Sequence, residues 1–139
     1  MNLIPENAVP RVDVDFMNRD HDEAAELVNA VDRLLSTGAE PKEIEEALVA
    51  LLDHTREHFA REEVEMRTVG FPAYPLHKVE HDRILDELDE VAAAFSRNHD
   101  VGDLATYARG VLPGWLLDHI STMDTVTAQY IVSRAASEL

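Results

Sequence analysis

His58 and Glu62 stand four residues apart, and so do His77 and His81. On a helix such residues lie one turn apart on the same face, so each pair aims two metal-ligand side chains at one place. Two ligands so placed grip one metal ion or bridge two. In the stretch WLLDHISTMD, Trp115, Leu116, His119, Ile120 and Met123 recur at steps of three and four and share a face, and Asp124 follows. An apolar face that carries a histidine and ends on an aspartate must satisfy both, because an unpaired buried polar group is costly. His21 adds a fifth imidazole from a separate amphipathic segment. A lone inward histidine is ordinarily a hydrogen-bonded core residue. Five of them, with two inward carboxylates, exceed what mutual hydrogen bonds satisfy, and a metal satisfies them together.

Counting narrows the metal. Five imidazoles and two carboxylates make seven ligands, too many for one tetrahedral zinc. So nitrogen-rich a set argues against calcium and magnesium, which prefer oxygen. Two octahedral ions bridged by both carboxylates fit better, and iron suits mixed imidazole and carboxylate ligands. Asp124 is the awkward member. On an ideal helix, residues five apart lie about 140° from each other. Asp124 therefore either bridges two metals or is swung inward by a local π-bulge.

These side chains need elements to position them. After an extended arm over residues 1–15, the pattern predicts a first helix over residues 16–35, with His21, Ala24, Val28, Val31 and Leu35 inward. Gly38 closes it as a C′ residue, and Pro41 opens the second helix at its first position. That helix carries Ile44, Leu48, Leu51, His58 and Glu62 on one stripe and ends before VGFPAYP. Pro75 starts the third, whose stripe is His77, His81, Ile84, Leu88, Val91 and Phe95. After SRNHDVGD, the fourth runs from near Asp103 to about Ser137, with an interruption at LPG (112–114). No strand pattern or internal repeat competes. Four helices with short connections predict an all-α, antiparallel up-down four-helix bundle, one domain over residues 1–139 with the bundle over about 16–137.

The composition fits one such domain. Of 139 residues, 45% are hydrophobic and only 5 are glycine, which sets the chain apart from disordered and fibrous classes. Twelve basic residues against 28 acidic ones leave a net charge of −16, so nucleic acid and anionic membranes are repelled. The absence of cysteine removes disulfides, iron–sulfur clusters and a thiol nucleophile. No leader-like segment opens the sequence, and no apolar run approaches the length of about 18 residues that suggests a membrane span. A monomeric cytoplasmic protein is the expectation.

The ordered pattern is His21, then His58-x-x-x-Glu62 inside HFAREEVEM, then His77-x-x-x-His81, then His119-x-x-x-x-Asp124. It resembles the hemerythrins, specifically single-domain bacterial ones, over nearly the whole chain from about residue 16 to 131. The resemblance implies a non-heme di-iron centre. His77, His81 and His119 hold one iron and His21 and His58 the other. Glu62 and Asp124 bridge them, with an oxo or hydroxo group completing the bridge. It leaves one open coordination position, on the iron held by His21 and His58, where O2 binds reversibly. Ala24, Trp115, Leu116 and Ile120 are then expected to wall an O2 pocket that small anions such as azide also enter. The implied function is oxygen binding rather than catalysis. A di-iron enzyme reducing peroxide or nitric oxide is the second reading, and a sensor of oxygen or iron the third, weakened because no fused domain is evident.

The sequence departs from the family pattern near the first ligand. Ala24 and Ala25 stand where Leu and an aromatic residue are usual, which thins the wall beside the open iron. Asn18 replaces the usual Asp of an Asp-x-x-His motif. His54, one turn before His58, stands where Tyr is common. It reads either as an eighth imidazole behind the ligands or as a partly exposed residue at the bundle end. His99 falls in a connection and reads as solvated.

Overall fold

A computed structural model of the chain describes residues 2–137. Helix α1 covers Asp15–Thr37, α2 Pro41–Val69 and α3 Tyr74–Asn98. The last leg of the bundle is built from α4 (Val101–Gly110), α5 (Leu112–His119), one π turn (Ile120–Asp124) and α6 (Thr125–Ser137). Among the described residues there is no strand, and the four legs pack as an all-α bundle, α1 on α2, α2 on α3, and the last leg against both α1 and α2. No described helix is long and apolar enough to cross a membrane.

The helix ends follow from local chemistry. Gly38 sits at φ 67° and Gly70 at φ 64°, the left-handed conformation that lets the chain turn off a helix without a Cβ penalty. After each glycine the next residue donates its N–H back into the last turn, Ala39 to Leu34 at 3.0 Å and Phe71 to Met66 at 2.9 Å. Pro41 is the first residue of α2, where its missing N–H costs nothing. Helix α4 begins two residues before the expected Asp103, because the Asp100 side chain accepts the N–H of Asp103 at 3.0 Å and caps it. At LPG the leg continues: Pro113 lies in the first turn of α5, where no intrahelical N–H is needed.

The N-terminal arm is not a free extension. It makes one 3₁₀ turn at Glu6–Ala8 and otherwise runs extended across the bundle. Its Ile4, Val9 and Val12 are buried with Met17, Val28, Ile120 and Ala128 in one apolar cluster. Two asparagine side chains hold it down as if they were strand backbone. Asn29 takes the N–H of Ile4 at 2.7 Å and donates to its carbonyl at 2.9 Å. Asn18 does the same for Val12, at 2.8 Å both ways. The Asn18 that departs from the family motif thus has a structural task. Asn29→Ala is expected to lose about 2–4 kcal/mol, because the two hydrogen bonds go and the Ile4 N–H and carbonyl stay buried unpaired. Urea denaturation measures this, and a cost under about 0.5 kcal/mol contradicts the clamp.

Candidate metal centre

Each leg of the bundle delivers donors to one buried region. His21 comes from α1, His58 and Glu62 from α2, His77 and His81 from α3, and His119 and Asp124 from either end of the π turn. All seven side chains are 5% exposed or less. The π turn brings Asp124 inward. Thr125 N–H reaches back five residues to the Ile120 carbonyl, which widens the turn and returns the residue five after His119 to the same face. The local sequence supports this widening. Thr122 Oγ1 donates to Asp118 at 2.6 Å and Thr125 Oγ1 to Ile120 at 2.8 Å, satisfying carbonyls that a stretched helix leaves poorly paired.

The two carboxylates divide their oxygens. Glu62 turns Oε2 to His58 Nε2 at 2.8 Å and to His21 Nε2 at 3.6 Å, and Oε1 to His81 Nε2 at 3.2 Å and His77 Nε2 at 3.7 Å. Asp124 turns Oδ2 to His21 Nε2 at 2.9 Å, and Oδ1 to His77 and His119 Nε2, both at 3.1 Å. Two donor groups result, one of His77, His81, His119, Glu62 and Asp124, the other of His21, His58, Glu62 and Asp124. All five Nε2 atoms, both Glu62 oxygens and Asp124 Oδ1 are buried without a well-formed hydrogen bond. So many converging, unpaired donors are costly unless a cation takes them. The donor set fits iron.

Three imidazoles are fixed from behind through Nδ1. His58 Nδ1 pairs with Asp20 Oδ2 at 2.8 Å, His81 Nδ1 with Glu63 Oε2 at 2.8 Å, and His77 Nδ1 with Thr127 Oγ1 at 2.9 Å. Such contacts leave Nε2 for the metal and set the ring's orientation. Asp20 is in turn gripped by Arg61, at 2.7 and 3.0 Å. Burial works to raise the Asp20 pKa, yet the bonds from His58 and Arg61 bring it down to about 2, so Asp20 is an anion at neutral pH. With no metal, burial lowers the His58 pKa, but Glu62 and Asp20 overcome this and raise it to about 10. Burial and mutual repulsion act to raise the Glu62 pKa, and the histidines around it hold it well below the usual range. Asp124 is likewise held down, against burial, by the His119, His21 and His77 imidazoles that face it.

Asp20, Glu63 and Thr127 do not stand out in the sequence as supports of the ligands. In a chain with 28 acidic residues, one acid beside each ligand looks like ordinary surface charge. The available signal was adjacency: Asp20 precedes His21, and Glu63 follows Glu62. Asp20→Asn is expected to weaken metal binding about 10- to 100-fold at the His21–His58 side while the fold persists. Competitive chelator titration of the variant checks this, and unchanged affinity contradicts it.

Aromatic rings close the centre. Phe59 stacks on His81 with centroids 3.7 Å apart, and Trp115 on His119 at 4.6 Å, its indole N–H donating to Glu80 at 2.7 Å. Beside His21 and His58 lies a cavity of about 30 Å³, bounded by Ala24, His54, Trp115 and Leu116. Ile120, expected in this wall, is not there. It begins the π turn and points into the cluster under the arm. Ala25 also packs in that cluster, so the thin wall is Ala24 alone. His54 lies nearer the first of its two readings, an imidazole behind the ligands. It is only 12% exposed and bounds the cavity, but its Nε2 bonds the Asp20 backbone carbonyl at 3.0 Å and its Nδ1 faces Glu23 at 3.5 Å. It clamps α2 to α1 behind the ligands. His99 ends α3 in the left-handed region and meets Glu45 at 3.1 Å.

A four-helix bundle with histidines and carboxylates converging from every leg defines a metal-binding bundle protein. Residues 12–131 match the hemerythrin HHE cation binding domain. The chain is 33% identical over 132 residues to a bacteriohemerythrin of Aquifex aeolicus, covering 93% of this chain and 98% of that one. A bacteriohemerythrin of Ralstonia nicotianae is 34% identical over 110 residues, 78% of this chain and 74% of that one. One of Methylococcus capsulatus is 30% identical over 113 residues, covering 80% and 82%. The chain belongs to the hemerythrin family, and its histidine and carboxylate cluster is that of a hemerythrin-type iron protein.

Proposed function

We propose that this chain, as a single domain in the cytoplasm, holds two irons and binds O2 reversibly at one of them. His77, His81 and His119 would hold one iron and His21 and His58 the other, with Glu62 and Asp124 shared between the two groups. The carrying observation is the split of each carboxylate, one oxygen toward each group of imidazoles. The groups differ by one nitrogen, so the His21–His58 side is one ligand short, and both its imidazoles line the cavity, against His119 alone from the other group. When bound, the iron pair supplies the electrons that O2 binding draws on. The chain's own residues set the conditions. Asp20 and Glu63 keep His58 and His81 correctly oriented. Ala24, Trp115 and Leu116 give the cavity an apolar wall that admits a diatomic molecule and limits water.

The test is elemental analysis of anaerobically purified protein, with optical spectra before O2, after O2 and after its removal. Two irons per chain and a spectral change that reverses are expected. One metal per chain, or zinc alone, overturns the iron count. A change that never reverses, with consumption of added peroxide or nitric oxide, replaces oxygen binding with the reductive reading. Ala24→Leu supplies a further prediction. Its three added carbons occupy much of a 30 Å³ cavity, so azide entry and spontaneous oxidation are expected to slow several-fold at unchanged iron content. Stopped-flow azide binding measures this, and equal or faster entry contradicts the thin-wall reading.

A further inference from the structure

We propose that small uncharged gases reach the centre along the inside of the bundle, entering between α3 and α4 beside Tyr107. This rests on the reading of the cavity as a gas-binding site. The cavity beside His58 shares the walls Val28, Leu51, Leu88 and Leu112 with a second void of about 10 Å³ in mid-bundle. That void shares Val91, Leu104 and Tyr107 with a hollow of about 100 Å³ that opens to the surface near Asn98, Asp100 and Asp103. Three spaces thus stand in a row, separated only by side chains common to neighbours.

The chemistry along the row selects what passes. Apart from Tyr107 the middle void is lined by aliphatic carbon. At about 10 Å³ it is at the lower limit for one water and offers it a single polar partner, the unpaired Tyr107 hydroxyl, short of the two to four a buried water needs. An anion would have to shed its hydration to cross it. It would first meet Asp100 and Asp103 at the mouth of a chain of net charge −16. A neutral diatomic faces neither obstacle. Packed side chains still hop between rotamers, and Leu51, Leu88 and Leu112 are the flexible ones among the walls that the inner spaces share. Azide is left with the opposite door, past Ala24 and His54.

The test uses iron-loaded protein and two variants. Ala108 faces the middle void, and Ala108→Leu fills it, whereas Leu88→Ala joins it to the cavity. Crystals pressurised with krypton are expected to show the gas in the cavity beside the centre and in the middle void. Ala108→Leu is expected to lose the second site, slow O2 and nitric oxide association several-fold and leave azide entry unchanged. Leu88→Ala is expected to speed gas association. The krypton positions need no O2 chemistry, so they test the route even if the oxygen-binding reading fails. Krypton confined to the cavity in the wild type and in Leu88→Ala, or gas and azide rates that move together in Ala108→Leu, overturns the route.

Discussion

Glu62→Ala is expected to release both metals. Glu62 is fully buried and gives one oxygen to each donor group. Its loss leaves the His21–His58 side with two imidazoles and one Asp124 oxygen, and deprives the other side of a ligand as well. No end-on histidine has that double effect: His119→Ala removes a nitrogen from one group only. On the proposed two-iron reading, iron is therefore expected to fall below one per chain in Glu62→Ala. Breaking a buried charge cluster costs about 3–5 kcal/mol, which for a domain of this size lowers Tm by about 10 °C or more. Glu63→Gln, one residue along, is the control. Glu63 backs His81 from behind, so that variant is expected to weaken binding about 10- to 100-fold yet refill with both irons at excess metal. Metal analysis and melting of the two variants together check the assignment. Two retained irons in Glu62→Ala contradict a bridge through this carboxylate.

Removing the metal with a chelator is expected to reverse the pH dependence of stability. In the chelated chain His58 keeps a proton, its pKa raised from 6.5 to about 10 by Glu62 and Asp20 against the effect of burial. A raised pKa contributes stability that is fully present below about pH 6.5 and lost as the pH climbs to about 10. Asp20 acts in the other direction. Its pKa is lowered from 3.8 to about 2, so its contribution is present above about pH 4 and lost as the pH falls to about 2. The chelated chain is thus most stable between about pH 4 and 6.5, and loses on the order of a few kcal/mol toward pH 10. With iron bound, the metal takes the place of the His58 proton, and acid releases the metal. The gap in melting temperature between loaded and chelated protein is expected to widen from pH 6 to pH 9. Melts across that range check it, and a constant gap contradicts proton-for-metal exchange at His58.

The donors were legible because their spacing has few other uses. Apolar periodicity fixed the inward faces, and five imidazoles on those faces stood out against aliphatic neighbours. The helix ends were legible for a similar reason, since Gly38 and Pro41 act through the backbone of the residues beside them. Contacts that depend on three-dimensional approach were not. Asp20 meets His58 across 38 residues and Glu63 meets His81 across 18, and adjacency to His21 and Glu62 is the one local mark either acid carries. The docking of the arm was not legible because Ile4, Val9 and Val12 show no periodicity. Asn29, 25 residues on from Ile4, and Asn18, six on from Val12, hold it in place. Ile120 was expected in the wall because it stands one turn from Leu116, but it is taken up in the apolar cluster under the arm.

That widened turn has a consequence for anyone editing this gene. From His119 onward the last leg holds one residue more than an α-helix needs to reach the same face. A one-codon deletion at exposed Ser121 would turn His-x-x-x-x-Asp into His-x-x-x-Asp, the spacing an ordinary helix already satisfies. A deletion in mid-helix normally rotates everything downstream out of the core, but here it relaxes a bulge. Reading frames aside, the loop-like tolerance to length change sits inside a helix, next to the metal. A designer who assembles bundles only from ideal helices would never write this stretch, and one who learned to use it could shift a ligand along the chain without moving it in space.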